Sequence, residues 1–160
     1  MQKIANVRID VRLIHGQVAA MWVNTLGITR IMVVDTPSTK DNILKMALKL
    51  ACPPNVKLSV LTPEKAANNL LENKYNGDAI MIVAKGPESL LDLYKAGFKL
   101  ETINVGNMAS AHDTKMIKKS IHVSQKDISN FKELASLGVK FTAQMYPNED
   151  YFDFLAALDK

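Results

Sequence analysis

The chain has 160 residues, 48% apolar and 22% charged, with a net charge of +4, which describes one soluble domain able to bury a substantial core. Its single cysteine, Cys52, excludes an internal disulfide, no Cys/His cluster has zinc spacing, and no apolar run approaches the roughly 18 residues of a membrane span. The lysines are scattered, without the basic stripe and interleaved aromatics of nucleic-acid binders, and Met1 to Ala5 enters a strand pattern with no signal region. A cytoplasmic protein with no nucleic-acid partner and no direct membrane insertion is expected.

The first strand reads Ile4 to Ile9 and leads through a short polar segment into a helix from Gln17 to Leu26, with Val18, Met21, Trp22 and Leu26 on one face and Gly27 as its stop. Trp22 fits the core better than a site. Ile28 to Val34 is an unbroken apolar strand of the kind covered on both faces of a parallel sheet, followed by a loop from Asp35 to Ser38. A helix over Thr39 to Ala51 is expected to turn Ile43, Ala47 and Leu50 to the sheet and to end at Cys52-Pro53-Pro54, with Cys52 as an apolar filler. The third strand, Val56 to Leu61, meets Thr62-Pro63-Glu64, a strong start signal for a helix to about Asn73. Ala79 to Ala84 is the fourth strand, and Lys85-Gly86-Pro87 opens a helix that stops at Gly97. Four strand-helix units with short connections imply right-handed crossovers and a doubly wound sheet.

The fifth strand, Thr102 to Val105, ends in Gly106-Asn107-Met108, but the segment before the next strand, Ser120 to Ser124, is too short and polar for a crossover helix, which permits an antiparallel edge. Ser124 to Asp127 resembles a capping box opening a helix through Leu137. A strand over Val139 to Met145 and an acidic-fronted helix over Asn148 to Leu158 close the pattern. No repeat or interdomain linker interrupts residues 1–160, so one α/β domain is expected.

The polar segment after the first strand carries the chemistry. A neutral imidazole at His15 is a good nucleophile, and a phosphoryl group on its nitrogen stays reactive enough to be passed on. Arg12 can offer an always-charged fork, the amides of His15, Gly16, Gln17 and Val18 can offer donors, and Gly16 lets the backbone approach a phosphate. Asp10 would orient Arg12 or the imidazole. By spacing alone the same residues have plainer readings: His15 a surface or capping residue, Asp10 a turn cap, Arg12 a surface ion pair. Arg8 lies mid-strand among apolar neighbours and either reaches into a polar crevice or emerges at a sheet edge. His112 and His122 have no partner at ligand spacing. A dinucleotide fingerprint, a phosphate loop and a Gly-x-Ser-x-Gly elbow are all absent.

Arg8-Ile9-Asp10-Val11-Arg12-Leu13-Ile14-His15-Gly16-Gln17-Val18 resembles the IIB subunit of the mannose/fructose/sorbose family of bacterial phosphotransferase systems. Asn104-Val105-Gly106, Val123-Ser124 through Asp127, and Leu134 to Val139 extend the likeness over nearly the whole chain. The resemblance implies a phosphocarrier: His15 takes a phosphoryl group through Nδ1 from phosphohistidine on a IIA protein or domain and hands it to a sugar entering through the membrane IIC and IID subunits. Arg12 falls on the arginine that neutralises the phosphoryl group and Asp10 on the motif's aspartate. No metal or nucleotide cofactor is required. The implied fold is an open, mainly parallel seven-stranded sheet with helices on both faces, in which Lys85-Gly86 and Gly106-Asn107 flank the His15 loop.

Two loops depart from the family pattern. Asn107 stands where glycine is frequent, which bears on partner or sugar preference, and Asp35-Thr36-Pro37 stands where Asn-Asp is frequent, which leaves the role of that loop open. Other phosphotransferase IIB families use a cysteine just after the first strand; Cys52 lies far from that turn and is not expected to accept phosphate. The sugar is not legible, and without a linker the IIA protein is expected to be a separate chain. Two other classes stay open: a small enzyme using His15 as general base on a phosphorylated metabolite, and a regulatory module whose phosphorylated loop only signals.

Overall fold

Alternation along the first strand decides where its polar residues go. Val7 and Ile9 enter the larger of two apolar cores while Arg8 and Asp10 project from the opposite face of the sheet. That strand, β1 (Lys3–Asp10), lies inside a six-stranded sheet in a computed structural model that describes residues 1–160. The other members are β2 (Arg30–Val34), β3 (Lys57–Leu61), β4 (Ala79–Ala84), β5 (Thr102–Asn107) and β8 (Lys140–Thr142), and the order is β3-β2-β4-β1-β5-β8 with every pairing parallel. β2 and β4 read as unbroken apolar runs because helices cover both of their faces.

α1 (Gly16–Leu26) and α3 (Asn42–Ala51) pack on the face that carries Arg8 and Asp10, around Val18, Trp22, Val23 and Leu48. α4 (Pro63–Leu71), α5 (Pro87–Lys95), α6 (Gln125–Ser136) and α7 (Phe154–Leu158) cover the other. Short α7 is anchored by aromatic packing: Phe154 meets Phe131 edge-on at 4.7 Å between ring centroids, and Phe141 lies 5.7 Å from Phe154. No helix is long and apolar enough to cross a membrane.

Several local expectations hold in detail. Gly27 ends α1 in the left-handed region at φ 65°, Thr62 caps α4 through the Lys65 amide, and Ser124 and Asp127 form a reciprocal capping box.

The differences have physical reasons. The mainly parallel sheet with two covered faces is as expected, but six strands share its ladders, not seven. Residues 121–123 form β7, which pairs antiparallel with β6 (Lys115–Lys118) and touches the end of β5 through one Met108–Ile121 bridge. The antiparallel pair therefore forms its own hairpin beside the sheet.

Residues 36–51 form two helical pieces, because Asp35 caps a short turn, α2 (Thr36–Thr39), and Asp41 then caps α3 afresh. This second start sets the rotation of α3: Leu48 is buried with Leu44 and Ala51 beside it, while Ile43 and Leu50, expected to face the sheet, are 82% and 85% exposed. Both stripes are apolar, so periodicity alone favours neither.

β8 stops at Thr142, short of Met145, because the Asn104 side chain takes over from the ladder. Its Oδ1 accepts from the Gln144 amide and its Nδ2 donates to the Gln144 carbonyl. α7 starts only at Phe154, capped by Asp153, since the Glu149 carboxylate accepts from the Met145 and Tyr146 amides and closes a turn there instead. Cys52 is half-buried against the Val56 carbonyl, and burial pushes its thiol pKa up, as suits a filler.

Candidate functional site

A five-residue turn, Val11 to His15, links β1 to α1 at the carboxyl end of the sheet. Asp10 organises it. The Asp10 carboxylate is 1% exposed, and its Oδ1 accepts from the Arg12 amide at 2.9 Å and from Arg12 Nε at 3.0 Å. Its Oδ2 accepts from Arg12 Nη2 at 3.0 Å and from Arg8 Nη2 at 3.4 Å. Asp10 thus closes the turn, and its side-chain bonds go to the two arginines, not to the imidazole. The bidentate grip leaves Nη1 of Arg12, on a one-third-exposed side chain, turned to no protein acceptor.

The turn closes tightly. Leu13 donates its amide to the Asp10 carbonyl at 2.8 Å and adopts φ 63°, a left-handed conformation that costs a non-glycine residue roughly 1–2 kcal/mol. Burial of the Leu13 side chain and of Ile14 against α1 offsets that strain. The result is a bend that returns Arg12 over Asp10 and presents His15 at the head of the helix.

His15 occupies the N-cap of α1 and is exposed; neither ring nitrogen bonds to another protein group, and its side chain does not cap the helix. The first amide of this turn to reach a carbonyl is Ala19, bonded to His15 at 2.8 Å. The amides of Gly16, Gln17 and Val18 precede it without a side-chain acceptor. Of the seven helices only α1 and α5 start uncapped by a side chain. Open amides, a tethered guanidinium and an exposed imidazole are the parts that phosphoryl transfer uses.

The flanking residues gather at the same end of the sheet. Asp35, Lys85 and Gly86 line a cleft of about 630 Å³ with Val11, His122 and Asp127. Lys85 Nζ stands 3.8 Å from Asp35, and Asp35 also caps α2 by accepting from Ser38. Asn107 lies opposite Asp10 in the ladder and its carbonyl accepts from the Val11 amide at 3.0 Å. Gly106 faces Arg8: a Cβ built on it would lie 2.2 Å from Arg8 Nη2. No three His, Cys, Asp or Glu side chains converge as metal ligands would.

Two residues outside the motif contact Arg8. Trp22, read as core, is buried but places its ring 5.4 Å from the Arg8 guanidinium and donates its indole N–H to the Met145 carbonyl. Gln144 gives its carbonyl to Arg8 Nη1 at 2.9 Å. A buried indole needs an acceptor, which was the available signal for Trp22; a main-chain carbonyl leaves no mark in a sequence.

The sequence profile of the phosphotransferase system sorbose subfamily IIB component matches residues 4–160. The chain is 33% identical over 157 residues to a sorbose-specific EIIB component of Lacticaseibacillus casei, covering 98% of this chain and 96% of that one. It is 31% identical to a mannose-specific EIIAB component of Escherichia coli (strain K12), covering 98% of this chain and 50% of that longer protein. The IIBSor domain of the sorbose permease from Klebsiella pneumoniae superposes with a TM-score of 0.92 at 29% identity, covering 98% of this chain and 96% of that domain. On these grounds the chain belongs to the sorbose subfamily of phosphotransferase-system IIB components.

Proposed function

We propose that residues 1–160 act as one phosphocarrier unit in which His15 accepts a phosphoryl group from phosphohistidine on a IIA protein or domain and delivers it to a sugar at the membrane IIC and IID subunits. The observation that carries this reading is the exposed, unbonded imidazole at the uncapped head of α1, with Arg12 tethered to Asp10 in the same turn. A ring nitrogen of His15 attacks the donor phosphorus, the N–P bond to the donor imidazole breaks, and its electron pair returns to that ring. In the second step a sugar hydroxyl oxygen attacks, the N–P bond to His15 breaks with its electron pair returning to the ring, and the hydroxyl proton ends on that freed imidazole.

Arg12 supplies charge to the equatorial oxygens, and the amides of Gly16, Gln17 and Val18 supply donors aligned with the helix axis. The helix terminus alone is worth about 0.3–1 kcal/mol to an anion at an exposed site, and a hydrogen bond from a charged group about 1.5–3 kcal/mol, so Arg12 dominates. The Escherichia coli relative whose name joins A and B components supports a IIA donor. Protein docking to IIC and IID would bring the chain to the cytoplasmic face of the membrane.

A label chase tests the whole sequence. Phospho-IIA carrying labelled phosphate is mixed with the chain at neutral pH, then with permease vesicles and candidate sugars. The label should move from IIA to this chain and then to one sugar. Retention on the chain despite permease and sugar would instead make it a signalling module, and turnover of a phosphorylated metabolite without a protein donor would make it a general-base enzyme.

A further inference from the structure

We infer that Arg8 is a positioning residue for phosphoryl transfer, acting through Asp10 to hold Arg12 in its working orientation, and that Gly106 is glycine because any side chain there would displace the Arg8 guanidinium. The inference rests on the phosphocarrier reading for its kinetic consequences but not for its geometry.

Arg8 is an expensive residue to place. It is 2% exposed and lies inside a strand, and a desolvated guanidinium needs nearly full compensation. Burial pushes its pKa below the ordinary arginine value and the neighbouring charge of Arg12 pushes the same way, while Asp10 acts against both. Its Nη1 donates to the Gln144 carbonyl at 2.9 Å, its Nη2 to Asp10 at 3.4 Å, and Trp22 lies over it at 5.4 Å. On the last side it rests against the backbone of Gly106, where a Cβ would come within 2.2–2.6 Å of three guanidinium atoms. A glycine inside a strand marks such a close approach, and here the approaching group is charged.

Arg8 also holds local structure, since its guanidinium packs on Trp22 and bonds to the Gln144 carbonyl, and removing one partner of a buried ion pair costs stability. What Arg8 does is fix the carboxylate. Asp10 Oδ2 accepts from both Arg8 Nη2 and Arg12 Nη2 while Oδ1 accepts from Arg12 Nε, so Arg8 pins the carboxylate at one of the two oxygens that hold the Arg12 fork. The sharing also divides the Asp10 charge, so that Arg12 keeps attraction to spare for an incoming phosphoryl group. Without Arg8 the carboxylate would turn with Arg12 and the guanidinium would lose its register to the head of α1.

The test is a double-mutant cycle with a spectroscopic arm. In the wild-type background, Arg8→Met should slow phosphoryl transfer from phospho-IIA by about tenfold or more at a temperature where a thermal melt shows the variant fully folded. In an Arg12→Met background the same substitution should change the rate by less than about twofold, because its route to the chemistry is gone. Gly106→Ala should slow transfer as Arg8→Met does and add almost nothing on top of it. The Arg12 Nε–H resonance, read by NMR without any phosphoryl donor, should be sharp in the wild type and shifted and broadened in Arg8→Met. Multiplicative rate losses in the Arg8/Arg12 cycle, or an Arg12 resonance unmoved by Arg8→Met, would overturn the inference. A wild type that accepts no phosphoryl group would instead sink the phosphocarrier reading, and the resonance would still decide the role of Arg8.

Discussion

Two aspartates in this molecule each serve two cations, at opposite ends of one sheet, and only one of them, Asp10, lies in the proposed phosphoryl site. Asp78, just before β4, accepts from Arg30 Nε at 2.9 Å, Thr29 Oγ1 at 3.0 Å and Lys57 Nζ at 3.3 Å, tying together the starts of β2, β3 and β4. Arg30 spends the rest of its guanidinium on Ser59 and on the Tyr75 ring. Burial alone would raise the Asp78 pKa, but its hydrogen bonds from Arg30, Thr29 and Lys57 outweigh that and hold the carboxyl below its ordinary value. Asp10 has similar partners by type, yet its outer arginine keeps an unengaged Nη1 and stands in a turn that carries a left-handed leucine, an unbonded histidine and an uncapped helix. An ion cluster is therefore no sign of a site; donors left unused beside an open nucleophile are.

Matched substitutions sharpen that contrast. Arg12→Met should lower phosphoryl transfer by roughly 10²–10³-fold, the scale of losing a transition-state donor, and cost about 1–3 kcal/mol of stability because the buried Asp10 loses its fork. Stopped-flow transfer from phospho-IIA and a denaturant titration would measure both; a transfer rate near wild type would remove Arg12 from its role. Arg30→Met should cost stability on the same scale, about 1–3 kcal/mol, and leave transfer unchanged.

Acid should expose the same division more gently. Because the folded pKa of Asp78 is depressed, its contribution is fully present above the ordinary aspartate pKa of about 4 and is lost as pH falls through the lower folded value. Wild-type melting temperature should therefore drop more steeply below about pH 4 than that of Arg30→Met. Equal slopes would mean that the Asp78 cluster is not a stability element.

The smallest effect concerns the open helix. His15→Ser would supply the side-chain cap that α1 lacks and should add about 0.5–1 kcal/mol of stability while removing phosphoryl acceptance. A measured destabilisation would show that the histidine holds the turn together.

What was legible in the sequence is what local rules control. The caps at Thr62 and Ser124, the stop at Gly27 and the apolar runs of β2 and β4 follow from a few adjacent residues, and the turn from Asp10 to His15 is visible because its chemistry lies within six positions. The rotation of α3 was not, since Ile43, Ala47 and Leu50 make as good a stripe as Leu44, Leu48 and Ala51. The role of Arg8 stayed undecided because its partners are distant in sequence: Gly106 across the ladder, the Gln144 carbonyl and Trp22 on the covering helix. β8 stopped early for a similar reason, a side-chain amide at Asn104 standing in for a strand.

The most direct test of the central claim is the intact mass, at neutral pH because a phosphorylated imidazole is acid-labile, of wild type and His15→Ala after incubation with phosphoenolpyruvate, the general phosphotransferase proteins and a IIA protein. His15 is exposed and makes no side-chain cap, so the variant should fold as the wild type does. The account predicts one added phosphoryl unit on the wild type and none on the variant. An equal gain on both chains, or none on either with a IIA that is itself phosphorylated, would contradict it.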